Sequence, residues 1–388
     1  MSDLAAGNTT KTSNRLLERE EQMYPLAEGM FAPRNQWYVA ALSDDVTRDP
    51  IERYILDEPI AFYRKEDGSA VALHGRCPHR SFPLGKSGVV GDDIQCGYHG
   101  ITFGPDGECT SIPSQVHVPR VCKVHSYPVV ERWQWIWIWP GDPDLADENL
   151  IPDHHVLGLT DPDVRSILVC FHEVNGRYML LNDNLMDLTH IQFLHRDTFG
   201  AGTKSDQVPG HSEGPNWVES HYEQIDIEVP PLIAPILNHD GRIDRTFGLR
   251  FMAPSLHHGT DEVYSRNADG SRGKNIGSVH IIHAVTPATR TSCHYWFAVG
   301  HNWSHLPDEF TAMFASKIAP GIEEDAYATA EIERMIQQEG GRPTEILLKA
   351  DHVAVRGRRV MEKLILADEL GGNLDSNEVT EAGLPASV

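Results

Sequence analysis

The chain has 388 residues, 40% hydrophobic and 23% charged, with 33 Lys+Arg against 56 Asp+Glu and a formal net charge of -23. At about 100–200 residues per domain, that length suggests two or three folded units with real cores. The acidic excess excludes an electrostatic hold on phosphate backbones or on an anionic membrane, so neither nucleic acid nor membrane is an expected partner.

Residues 1–33 read as a polar extension, in which only LLEREEQM (16–23) has helical character. The opening MSDLAAGNTTKTSNR lacks the apolar stretch of a secretion signal, and no apolar run reaches the ~18 residues of a membrane span. The expected setting is the cytoplasm. From Trp37 to Pro140 the chain reads as short strands and tight turns. RYILDEPIAFYR and AVALHGR are strand-like around a hairpin signal at Glu66-Asp67-Gly68-Ser69, and Gly104-Pro105-Asp106-Gly107 is a second turn. Trp133 to Trp139 alternates Trp with mostly Ile, which predicts a core strand buried on both faces. Pro140-Gly141-Asp142-Pro143 punctuates a boundary, giving expected units of 1–33, 34–150 and 151–388.

The last unit mixes strands and helices. SILVCFHEV (166–174), SVHIIHAVT and SCHYWFAVG are strand-like, residues 178–195 have helical spacing, and the chain turns helical after Pro307. The fold class is therefore α+β. Six cysteines are too few for a disulfide scaffold, and with 21 histidines they raise the question of metal binding.

Cys77-x-His79, sixteen residues, then Cys96-x-x-His99 form one constellation. Four unconnected residues would rarely fall so regularly. A structural zinc site accepts two Cys and two His, but its usual spacing pairs like with like. A Rieske [2Fe–2S] centre takes two Cys on one iron and two His on the other, which suits two loops that each offer one of each.

A second constellation is Asp187-x-x-His190-x-x-x-x-His195. Asp187 and His190 share a helical face, whereas His190 and His195 are five apart and meet only if the helix ends or bulges. Two exposed surface histidines are the bland alternative. With a distant carboxylate, the pair would make the facial triad of non-haem Fe(II) enzymes. Glu323, Glu324 and Asp325 start a predicted helix. Acids there can simply complement the helix dipole, which does not exclude Asp325 as a ligand.

Together these motifs resemble the oxygenase component of Rieske non-haem iron ring-hydroxylating oxygenases. NQWYVAAL, CPHR, QCGYHGITF, YPVVER, DNLMDLTH and SCHYWF are most similar to its single-subunit demethylase-like subgroup, over about residues 34–370. The resemblance implies an all-β Rieske domain followed by a helix-grip catalytic domain, an antiparallel sheet flanked by helices. It implies Cys77 and Cys96 on one cluster iron, His79 and His99 on the other, and His190, His195 and Asp325 on the mononuclear Fe(II). Asp187 would bridge the centres across subunits, hydrogen-bonding His190 and the neighbour's His99 in a head-to-tail α₃ homotrimer. Ser316 stands where the dicamba enzyme of this subgroup has an aromatic substrate clamp, nine residues before Asp325. It is the candidate for substrate contact, and the loss of that clamp argues against a benzoate-type substrate.

The implied activity uses O₂ to hydroxylate a small aromatic substrate, most naturally in O- or N-dealkylation. An anilide herbicide is one specific substrate that fits, and cis-dihydroxylation is the alternative within the same residues. A Rieske electron carrier or a zinc-stabilised binding protein are the alternatives outside catalysis. With no flavin or nicotinamide motif in the chain, NAD(P)H is expected to act through a separate reductase and ferredoxin. Residues 76–132 carry six basic residues against five acids in this acidic chain. Lys86, Arg120 and Lys123 are thus candidates for docking an acidic ferredoxin.

Overall fold

A computed structural model describes residues 24–369 except 28, 199, 201–207, 231–232, 238, 240, 304, 308 and 342. The helical turn expected at 16–23 lies outside the described residues. The first unit is built from eleven short strands: β1 (Tyr38–Leu42), β2 (Ile51–Ile55), β3 (Glu58–Arg64), β4 (Ala70–His74), β5 (Gly88–Val90), β6 (Asp93–Gln95), β7 (Thr102–Phe103), β8 (Cys109–Ser111), β9 (Ser126–Tyr127), β10 (Val129–Arg132) and β11 (Trp135–Ile138). They form three antiparallel sheets of order β1-β11-β10, β2-β3-β4-β9 and β5-β6-β7-β8.

RYILDEPIAFYR, expected as one strand, is two. Leu56 and Asp57 turn the chain between β2 and β3 with φ of 51° and 66°. Two consecutive positive φ values suit the right-handed twist of a tight hairpin, but they are unusual for Leu. Docking holds them there: the Leu56 and Asp57 N–H groups donate to the carbonyls of Pro287 (3.0 Å) and Ala288 (2.9 Å) in the second unit.

The tryptophan strand also starts later than expected, because Trp133 sits in a turn with φ 57°. From Trp135 onward both faces are buried. Trp135 and Trp137 pack with Trp37, Leu256 and Trp296, while Ile136 and Ile138 pack with Tyr38, Phe62 and Tyr127. The tryptophan face is thus the apolar joint between the two units.

The second unit runs β12 (Arg165–Val174), α1 (Tyr178–Met186), α2 (Ile191–Leu194), β13 (Gly210–Gly214), β14 (Trp217–Ile227), α3 (Ala234–Leu237), β15 (Ile243–Met252), β16 (Leu256–Arg266), β17 (Arg272–Thr289), β18 (Ser292–His301), α4 (Glu309–Gln338) and α5 (His352–Glu369). Its seven strands form one open antiparallel sheet, β12-β18-β17-β16-β15-β14-β13. Helices α1, α4 and α5 all pack on this sheet, α1 against β15 and β17, α4 against β12 and α5 against β14, and α1 touches both of the other two. A Cβ on Gly357 of α5 would meet the end of the Met186 side chain, so α1 and α5 cross closely here and a larger residue would have to displace that thioether. This is the expected α+β architecture, with an all-β first unit and helices flanking an antiparallel sheet. Among the described residues, no helix is long and apolar enough to cross a membrane.

Many of the histidines are core residues. His257 and His301 are 0% exposed. Burial pushes His257 well below its usual value, and His258, His294 and His301 down to about 4. A histidine depressed in the folded state contributes stability that is present above about pH 6.5 and lost as pH falls toward its folded value. Each costs about 1 kcal/mol per pH unit below 6.5. Lowering pH from 7 to 5.5 should therefore reduce unfolding free energy by roughly 4 kcal/mol, with uptake of several protons on unfolding. Urea titrations across that range check this. A flat profile would show that these imidazoles are charged in the fold.

Candidate metal centres and substrate cavity

The first constellation comes together on two matching loops. In the loop after β4, Cys77 N–H donates to the Phe82 carbonyl (3.0 Å) and Ser81 N–H to the Cys77 carbonyl (2.9 Å). Between β6 and β7 the same pattern recurs, with Cys96 N–H to Ile101 (2.8 Å) and Gly100 N–H to Cys96 (2.9 Å). Ser81 and Gly100, each four residues after its cysteine, both take positive φ (55° and 72°). Cys77 and Cys96 are buried beside Leu84, Ile94 and Phe103, whereas His79 and His99 are exposed with ring centroids 4.6 Å apart. Burial pushes the Cys77 thiol up to about 11, with the Cys96 thiol beside it adding to the shift. A thiol held up in this way ionises only against a strong positive charge. A donor set of inner thiolates and outer imidazoles fits a [2Fe–2S] cluster with its histidine-bound iron toward the surface.

The second constellation meets at the end of α1. That helix stops at Asp187 (φ -111°, ψ 94°), a 3₁₀ turn spans Leu188–His190, and α2 ends at His195. This break lets two histidines five residues apart face one point. His190 Nδ1 bonds the Asp187 carbonyl oxygen at 2.6 Å, and His195 Nδ1 bonds Glu324 Oε2 at 2.8 Å. Both rings therefore turn Nε2 toward Asp325, whose Oδ1 lies 3.5 Å from His190 Nε2 and 3.1 Å from His195 Nε2. The three ligand atoms lie within 4.8 Å of one another. Asp325 is 2% exposed, and among the described residues no hydrogen bond of normal geometry reaches its Oδ1. Burial opposes charge on His195, but Asp325 and Glu324 outweigh it and shift the ring upward, so this pocket favours a cation at Nε2. Two imidazoles and a carboxylate fit a divalent iron with open positions.

A cavity of ≈ 760 Å³ opens from this point. Its walls come from the sheet (Leu249, Val279, Ile281) and from the helices (Leu185, Phe314, Ile322). His283 also lines it, is 6% exposed, and bonds Tyr295 Oη through Nδ1 at 2.7 Å.

Three expectations need correcting. Ser316 does not line the cavity; it is exposed on α4, and its hydroxyl donates to the Met313 carbonyl at 2.7 Å. Glu323, Glu324 and Asp325 do not start a helix, because α4 begins at Glu309 and runs through Pro320. The dipole explanation for these acids therefore fails. The Asp187 carboxylate accepts from Thr189 N–H (2.9 Å), and it is the Asp187 main-chain carbonyl that meets His190. Sequence reasoning also missed the role of Glu324, which holds His195 and accepts from Thr198 Oγ1 at 2.9 Å. Its place beside Asp325 was the available signal.

The chain matches the model of the Rieske [2Fe-2S] domain over residues 36–128 and that of the vanillate O-demethylase oxygenase C-terminal domain over residues 174–367. It is 35% identical to the dicamba O-demethylase oxygenase component of Stenotrophomonas maltophilia over 350 residues, 85% of this chain and 97% of that one. It is 32% identical to the chloroacetanilide N-alkylformylase oxygenase component of Rhizorhabdus wittichii over 346 residues, 86% of this chain and 96% of that one. The crystal structure of dicamba monooxygenase bound to dicamba superposes with a TM-score of 0.75 at 33% identity, covering 87% of this chain and 98% of that chain.

Proposed function

This chain belongs to the Rieske-type non-haem iron oxygenases, O₂-using enzymes, in the group of the dicamba and vanillate O-demethylases, and on that premise we propose that it dealkylates a small, largely apolar aromatic compound at nitrogen or oxygen. The observation that carries the reading is the convergence of His190, His195 and Asp325 at the end of an apolar cavity. In this reading those three residues hold the mononuclear iron, and Cys77, His79, Cys96 and His99 hold the [2Fe–2S] cluster. When bound, the two centres supply electron storage and O₂ activation.

The protein's own contribution is positional. Asp187 and Glu324 fix the tautomer and aim of the two imidazoles by occupying Nδ1. Leu185, Ile281 and Phe297 exclude water and place an alkyl carbon of the substrate near the metal end. Hydroxylation of a carbon next to nitrogen or oxygen yields a hemiaminal or hemiacetal, which collapses to an aldehyde and the free amine or phenol. We assign electron delivery to a ferredoxin and an NAD(P)H-dependent reductase in the cytoplasm. We assign inter-centre transfer to a head-to-tail homotrimer, in which Asp187 of one subunit faces His99 of the next. The exposure of His79 and His99 and the partial exposure of Asp187 support that arrangement. Reconstituted with electron donors, the enzyme should release aldehyde in step with substrate-dependent O₂ uptake. A cis-diol product, or no substrate-dependent uptake, overturns the reading.

Lys86, Arg120 and Lys123 are all exposed on the cluster-bearing unit, and Lys123 faces a solvent-screened Glu108 at 3.6 Å. Reversing the three charges to Glu should slow ferredoxin-coupled turnover about tenfold at low salt, with the difference shrinking as ionic strength rises. Stopped-flow reduction of the cluster at two salt concentrations checks this; equal rates at low salt would remove the patch from consideration.

A further inference from the structure

The cavity is graded along its length. On β17, His283, Ile281 and Val279 face it in alternation. His283 marks the metal end, close enough to feel Asp325, His190 and His195. One step along, Ile281 pairs with Gly259 of β16, and Gly259 pairs with Leu249 of β15, so that level is apolar. Another step along, Val279 pairs with Asp261, which pairs with Phe247. Asp261 therefore stands four residues from the metal end, about 13 Å at ~3.3 Å per residue.

Asp261 is not free to meet a ligand alone. Its Oδ1 accepts from Arg245 Nε at 2.7 Å and its Oδ2 from Arg245 Nη2 at 2.5 Å. The same guanidinium lies over the Phe247 ring, 4.7 Å from its centroid. The other cation on the wall, Arg242, donates to Asp226 at 2.8 Å and lies 4.0 Å from Glu228. Arg242 and Arg245 are the only Arg or Lys side chains among the described lining residues, and both are already matched by carboxylates.

We infer that this cavity selects uncharged substrates, and that Asp261 enforces the choice by holding Arg245 in a two-point ion pair. A carboxylate or sulfonate reaching Arg245 would have to share it with Asp261, which brings two anions side by side in a desolvated site. An anion drawn instead to the metal end would compete for the ligand positions there. An ester, amide or ether needs no countercharge and loses little on entering apolar walls. The inference rests on the reading of this cavity as the substrate site.

A matched pair of ligands tests it: 2-methoxybenzoate and its methyl ester, bound to the metal-loaded full chain at pH 7.5 and measured by calorimetry. The ester should bind at least tenfold tighter. Asp261→Asn removes the countercharge but keeps the shape, so the ratio of ester to acid affinity should fall at least tenfold as Arg245 becomes available. Acid bound as tightly as ester by the unaltered protein overturns the inference and leaves the substrate site standing. So does a ratio that Asp261→Asn does not move. If neither ligand binds, the substrate site fails and the inference with it. Should Asp261→Asn not fold, the paired change Arg245→Met with Asp261→Leu removes both charges and must keep the ester preference. Its reversal also overturns the inference.

Discussion

Asp325→Ala chains are expected to lose the mononuclear iron and more than about 100-fold of aldehyde formation while keeping the cluster spectrum. Asp325 supplies the only carboxylate oxygen among the three converging ligand atoms. Without it, two neutral imidazoles remain to hold a divalent ion that prefers a charged third partner. Iron analysis should fall from about three per chain to about two, because the cluster keeps its own pair. Neighbouring acids grade the effect. Glu324→Gln leaves the His195 Nδ1 contact without its charge, and a loss of about 10–100-fold in iron affinity or activity is expected. Glu323 is exposed, and its replacement by Ala should change activity less than about twofold. Metal content, cluster absorbance and turnover measured on the three variants together separate these cases. Full iron occupancy in Asp325→Ala would remove Asp325 from the ligand set.

The reason these three adjacent acids differ so much lies in the helix that carries them. On α4 the buried residues Ile322, Asp325, Thr329 and Glu333 recur at three- and four-residue steps, so one stripe faces inward and carries acids. That stripe could be read in the sequence once the helix was known to be continuous. Pro320 obscured it, because an internal proline normally ends a helix. Here Pro320 is exposed, so the backbone bond it forgoes is on the solvent side. Ser316 fails on the same geometry: nine residues at about 3.6 per turn is two and a half turns, which puts it on the face opposite Asp325. The cluster loops, by contrast, were legible, since each Cys and His pair is set by local turns. The pairing of Arg245 with Asp261 was not, because it depends on cross-strand register between β15 and β16.

Glu333→Ala should destabilise the chain by about 3–5 kcal/mol, a large part of the roughly 5–15 kcal/mol that holds a domain folded. Arg177 and Glu333 are 3% and 4% exposed, and join by Nε to Oε2 at 2.6 Å and Nη2 to Oε1 at 2.8 Å. Glu333 also accepts from the Arg177 N–H at 3.3 Å, at the N-terminus of α1. The pair therefore ties the start of the helix leading to His190 to the helix carrying Asp325. Removing the carboxylate leaves a guanidinium inside the protein with two carbonyl contacts from Nη1, Tyr24 at 2.8 Å and Gly341 at 3.5 Å, as compensation. The paired change Arg177→Met with Glu333→Leu leaves no buried charge and should recover most of the lost stability. Stability and metal binding then part company. If the ion pair sets the spacing of α1 and α4, the double variant folds well yet binds the mononuclear iron more weakly, because the histidines and Asp325 have lost their shared anchor. Urea midpoints with iron titrations on the single and double variants distinguish the two roles. Equal iron affinity in a well-folded double variant would reduce the pair to a contributor to stability alone.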